Sequence, residues 1–196
     1  MKKVFLPLAF AVASVAAVPA AQAADGNGFV TVKAGQTSWS LNDQYSDNET
    51  AFSWGAQGGY RWSLNDTNAI GFDVGYVDFG SISDSGSGVS ASLDGSAITV
   101  GGNYKLTFGG PTADDWYFEA RAGYMKLTLD ASLNFAGLGS ASGSDDFSGI
   151  YLGAGIGYNI TPTFGLSLNY DYHQADDVYD DSLNLAMFSV AAEFRF

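Results

Sequence analysis

The chain has 196 residues, a formal net charge of −13 and no cysteine. That length suits one domain. The missing thiols exclude disulfides and a lipid-anchoring cysteine, and the excess of acid weighs against a nucleic-acid partner. In chain order, Lys2 and Lys3 precede an almost wholly apolar stretch from Val4 to Val18, and Ala21-Gln22-Ala23 supplies a small-x-small cleavage pattern. An apolar core of about fifteen residues is too short to span as a helix. Residues 1–23 therefore read as a cleaved signal peptide and residues 24–196 as the mature domain.

From there apolar side chains recur at every second position, the period of a strand. Val30, Val32 and Ala34 alternate with Thr31 and Lys33; Phe52 to Trp62 with Ser53, Gln57 and Arg61; Ile70 to Tyr76 with Gly71 and Asp73. Ile98 to Leu106 follow against Asn103 and Lys105, then Trp116 to Tyr124 against Glu119 and Arg121, and Leu152 to Ile160 against glycines and Asn159. Phe164 to Tyr172 alternate with Asp171 and His173, and Phe188 to Phe196 with Glu193 and Arg195. Each of these eight segments approaches the ~9–11 residues of a tilted membrane strand. Short connections (63–68, 107–115 and 161–163) trade places with long ones near 40–51, 80–96, 126–147 and 174–184. Pro111 and Pro162 fall in short turns, where a missing N–H costs no ladder bond. Val89 to Leu93 and Leu127 to Ala131 keep alternating, so the second and third long connections continue as hairpins.

A soluble barrel alternates too, with its apolar face inward. Charge placement opposes that reading. Five of the six basic residues after position 23 (Lys33, Arg61, Lys105, Arg121, Arg195) share the polar parity with Asp73, Glu119, Asp171 and Glu193. Such a set can pair itself inside, as buried charges require. The opposite parity carries no charge within the strands, where one costs about 2–4 kcal/mol near the bilayer midplane. The expected fold is all-β: an eight-stranded antiparallel up-and-down transmembrane β-barrel, with both termini periplasmic and the long connections outside.

The last strand, Phe188-x-Val190-x-Ala192-x-Phe194-x-Phe196, ends on a bare aromatic carboxy terminus. Together with the signal peptide and the eight alternating strands it resembles the small OmpA/OmpX-like outer-membrane barrels. The resemblance covers the mature chain and is architectural, since no internal motif picks a subfamily. It implies residence in the bacterial outer membrane among lipids and lipopolysaccharide. It also implies that Phe188, Val190, Ala192, Phe194 and Phe196 form the signal read by the outer-membrane assembly machinery. No counterpart of the peptidoglycan-binding domain of OmpA follows the barrel, so anchoring by that route is not expected.

Eight strands enclose a space that side chains fill. Lys33, Arg61, Asp73, Lys105, Glu119, Arg121, Asp171, His173, Glu193 and Arg195 are the candidate lumen network, a polar plug that holds the barrel rigid. Thirteen acids, among them Asp43, Asp47, Glu49, Asp84, Asp94, Asp130, Asp145 and the run Asp176 to Asp181, are assigned to the long connections, with Lys126 their one basic companion. That rim repels nucleic acid and suits cationic peptides or host-surface ligands. Tyr45, Phe135, Phe147 and Tyr179 add aromatic surface. No metal or cofactor motif is present: the Asp176–Asp181 run lacks the glycine turn of a calcium loop, and Gly153 to Gly157 lies mid-strand rather than before a helix. His173 is the single histidine and Ala175 follows it two residues on, so no His-x-Ser pair supports lipid-deacylase chemistry. The expected role is structural, with surface contact or adhesion through acidic loops. A narrow ion or small-solute channel is the alternative, and a lipid-modifying enzyme the third reading.

Overall fold

A computed structural model describes residues 26–41, 49–86, 89–109, 115–135, 139–178 and 181–196. The expected signal segment, Asp43, Tyr45, Asp47, Pro111, Tyr179 and Asp180 lie outside the described residues. Eight strands follow one another: β1 (Gly26–Leu41), β2 (Glu49–Ser63), β3 (Asn68–Gly86), β4 (Val89–Thr107), β5 (Asp115–Phe135), β6 (Gly139–Thr161), β7 (Phe164–Val178) and β8 (Asp181–Arg195). Each pairs antiparallel with its sequence neighbour, and β8 returns to β1 to close the barrel. Closure leaves no unpaired edge in the membrane wall.

The alternation seen in the sequence becomes an inside and an outside. Through the wall, odd-numbered side chains turn inward and even-numbered ones outward. Phe52 and Tyr124 are 69% and 73% exposed, and Ile98, Val100, Leu152 and Phe188 join them in an apolar belt. So broad an exposed apolar surface is stable only in lipid. At the short-turn end aromatic pairs ring the barrel, including Trp116–Tyr158 (ring centroids 5.4 Å apart), Tyr60–Trp62 (5.3 Å) and Phe164–Phe194 (5.0 Å). These amphipathic rings suit a membrane–water boundary.

The short turns fall where expected, β6 passing to β7 through Pro162 and Thr163 alone. The far end corrects the sequence reading in extent. The second and third long connections do continue as the expected hairpins, and further than Val89–Leu93 and Leu127–Ala131: β3 pairs with β4 to Gly86↔Val89, and β5 with β6 to Phe135↔Gly139. The strands run 15–23 residues, well beyond membrane length. Glu49, Asp78, Asp84, Asp94, Asp130, Asp145, Asp146, Asp176, Asp177 and Asp181, assigned to loops by sequence, lie within strands. One irregularity steers this extension. Between Asp78 and Gly80 the β3–β4 register shifts by a bulge at Phe79. Gly80 takes φ +75° and donates its N–H to Asp78 Oδ1 at 2.9 Å. A Cβ there would lie 2.2 Å from the Phe52 carbonyl oxygen, so only glycine fits.

Candidate functional site

The lumen is built in tiers. Period two sends one or two charges from most strands inward, and glycines opposite them leave room. Asp171 and Arg121 both face Gly153 across the ladder. A Cβ at Gly153 would sit 2.1 Å from Asp171 Oδ1, so the pair meets because that wall is bare. Lys33 Nζ donates to Asp171 Oδ2 at 2.8 Å and Arg121 Nη2 to Asp171 Oδ1 at 2.8 Å. Arg121 Nη1 donates to Glu119 Oε1 (2.9 Å), whose Oε2 accepts Arg61 Nη2 (3.0 Å). Arg61 Nη1 continues to Glu193 Oε2 at 2.7 Å. Glu193 Oε1 accepts Lys105 Nζ at 2.5 Å and Arg195 Nη1 at 3.3 Å. Charge-assisted bonds of this kind are the strong ones, and each charge here needs its partner because water is excluded.

Neutral groups extend the chain. Arg61 Nε donates to Asn103 Oδ1 (2.7 Å), and Asn103 Nδ2 donates to Asp73 Oδ2 (2.8 Å). Tyr151 OH donates to Asp73 Oδ1 at 2.9 Å. Toward the short turns the ions rest on rings: the Arg61 guanidinium lies 3.7 Å from the Phe29 centroid, and Lys105 Nζ 3.7 Å from that of Tyr117. Such cation–π contacts strengthen when desolvated.

His173 is placed apart from the ions. Its ring stands edge-on to Phe79 (4.9 Å) and stacks with Tyr151 (6.0 Å), and Nδ1 has no hydrogen-bond partner among the described residues. It roofs the ionic tier rather than joining the ion pairs. Above it the interior turns apolar, which the sequence reading missed. Trp39, Val77, Phe79, Met125, Leu127, Leu129, Leu183, Leu185 and Met187 form a buried cluster inside the barrel. Phe147, taken from sequence as adhesive surface, packs against this cluster with Ile82 and Leu93. The signal was present: Leu183, Leu185 and Met187 continue the inward parity of Ser189 and Glu193. A lumen read as polar throughout left them unassigned. The bulge at Phe79 lets both Phe79 and Ile82 reach this cluster.

A sequence model of the outer membrane protein β-barrel domain matches residues 8–196. Among solved structures, Ail of Yersinia pestis superposes with a TM-score of 0.57 at 16% identity, over 88% of this chain and 99% of that one. Neisserial surface protein A gives 0.53 at 17% identity over 86% and 97%, and the N-terminal barrel of Pseudomonas aeruginosa OprF gives 0.52 at 16% over 87% and 99%. At such identities the likeness shows the fold alone. No curated protein matches the chain by sequence. The lipid-facing belt, the closed ring of eight strands and the family match agree, and the chain belongs to the outer membrane protein β-barrel domain family of the bacterial outer membrane.

Proposed function

We infer that this barrel is a closed, non-catalytic scaffold that presents an acidic, strand-built surface outside the membrane to cationic partners. The carrying observation is the wall formed by β3, β4, β5 and β6. β6 gains its β7 partner only at Gly149, so ten residues from Gly139 onward rise beyond it, on the order of 30 Å along the strand at ~3.3 Å per residue. Asp84, Asp94, Asp130, Asp145 and Asp146 are exposed on this wall. Asp94 and Asp130 stand directly opposite one another, an arrangement that destabilises a bare sheet. A local rule broken on an exposed surface supports a binding role. Lys126 is the one exposed base on this wall among the described residues, and it is paired with Asp146 at 2.8 Å.

Ail was solved with the heparin analogue sucrose octasulfate, a polyanion. The charge carried outside by the present chain is negative, the same sign as that ligand, which supports a cationic peptide or basic protein surface instead. The channel reading draws no support from the lumen, where an apolar cluster stands over a cross-linked ionic tier.

The test is binding of oligolysine and of heparin to the mature barrel in nanodiscs across a salt series. Oligolysine should bind, weaken as salt rises, and lose at least tenfold in affinity when Asp84, Asp94, Asp130, Asp145 and Asp146 become Asn together. Preference for heparin, or indifference to those substitutions, overturns the assignment.

A further inference from the structure

Among the described residues four buried cations of the lumen meet four buried carboxylates, and a fifth cation, Arg195, sits part-buried at the short-turn end. Lys33, Arg61, Lys105, Arg121 and Arg195 face Asp73, Glu119, Asp171 and Glu193, and Asp73 is held by the neutral donors Asn103 and Tyr151. The ion pairs inside the barrel therefore fall on three carboxylates. Sharing of carboxylates is tightest at the short-turn end. There Glu193 accepts from Arg61, Lys105 and Arg195, its single Oε1 shared by the last two, and Arg195 donates further to Asn159 Oδ1 and to the Thr161 and Pro162 carbonyls. Glu119, the remaining acid at this level, is divided between Arg61 and Arg121. A buried cation with a fraction of a counter-charge is costly.

A cavity of about 140 Å³ opens at this end, lined by Arg61, Lys105, Arg195, Asn27, Thr107 and the turn residue Asp66. Arg61 and Lys105 are 5% and 6% exposed, so this mouth presents charges already stripped of most of their water. Guanidinium and ammonium groups converging on a small polar cavity are the recognition chemistry of a tetrahedral oxyanion. Asp66 is exposed at the lip, where solvent screens it. We propose that the short-turn mouth of the barrel binds one phosphate-sized oxyanion between Arg61, Lys105 and Arg195. The site lies at the end opposite the acidic wall and stands independently of it.

The experiment is an amide-shift titration of the mature barrel, refolded in maltoside micelles that contain no phosphate. Inorganic phosphate is titrated against chloride at constant ionic strength. Saturable shifts at Ser63, Thr107 and Arg195 are expected. Lys105→Gln leaves Glu193 with Arg61 and Arg195, and should weaken phosphate at least tenfold. Asp66→Asn, in an exposed turn, should tighten it several-fold, and decides the matter if the lysine variant does not fold. Shifts that chloride reproduces equally, or an affinity that neither substitution moves, overturn the proposal. Repeating the titration in phospholipid nanodiscs separates the sources. A persisting response identifies the free ion, a response already saturated before addition identifies a headgroup phosphate, and both uphold the oxyanion site.

Discussion

Glu193 carries more of the interior than any other side chain, since three cations converge on it. Glu193→Gln leaves them sharing a neutral amide and should destabilise the barrel by about 3–5 kcal/mol, the usual cost of breaking a buried pair. Urea unfolding of the refolded protein measures it. Arg121→Gln should fall in the same range, whereas Asp146→Asn, in the exposed pair with Lys126, should leave the midpoint unmoved. The Lys126 hydrogen bond, and then that of Thr128, hold the Asp146 carboxyl below its usual range. A depressed value means that the contribution is complete above the unfolded value, about pH 3.9, and fades only as pH falls through the lower folded one. Pairing should therefore persist at pH 5 and yield to salt, as lysine side-chain NMR would read. Gly153→Ala should cost about 1–3 kcal/mol by pushing Asp171 off its cations. Which residues turn inward was legible from parity. Who meets whom was not: Lys33 and Asp171 are 138 positions apart, and barrel closure rather than sequence spacing sets their common height.

At the scale of the element, the short turns were readable because chain reversal is local chemistry, and each lies where the connections between alternating runs put it. The outer hairpins over 80–96 and 126–147 were legible in Val89–Leu93 and Leu127–Ala131, but their full extent was not. Ser and Gly in Gly139 to Ser144 weaken the strand signal, yet β5 supplies a complete ladder beside them. The bulge at Phe79 had no sequence mark beyond one glycine. Gly80→Ala forces a left-handed φ on a residue with a Cβ against the Phe52 carbonyl, and should cost about 1–2 kcal/mol. Hydrogen exchange should show the loss as reduced protection in the upper β3–β4 hairpin, with the lower barrel unchanged. At the other end Phe196 and Gly28 exchange both backbone hydrogen bonds at 3.0 Å. Deleting Phe196 removes that last rung of the seam and should lower outer-membrane levels, measurable by fractionation. Normal levels of a normally folded deletion variant would count against the terminal strand as an assembly signal.

For the molecule as a whole, two barriers lie in series along the axis: the ionic tier and the apolar cluster above it. Planar-bilayer recordings of the mature barrel should show no unitary current. Arg121→Ala should stay silent as well, because breaking ion pairs leaves Trp39, Leu185 and Met187 in place. Discrete steps from either protein would instead favour a small channel.

The ion pairs also bear on how such a barrel comes to be made. Neighbouring hairpins form from nearby chain, but Lys33–Asp171 and Arg61–Glu193 join the first two strands to the last two, 138 and 132 residues away. Until the seam between β1 and β8 shuts, those two pairs stay open, while Arg61 still has Glu119 to meet and Asp171 still has Arg121. The network that stiffens the finished barrel is thus complete only when the last strand meets the first.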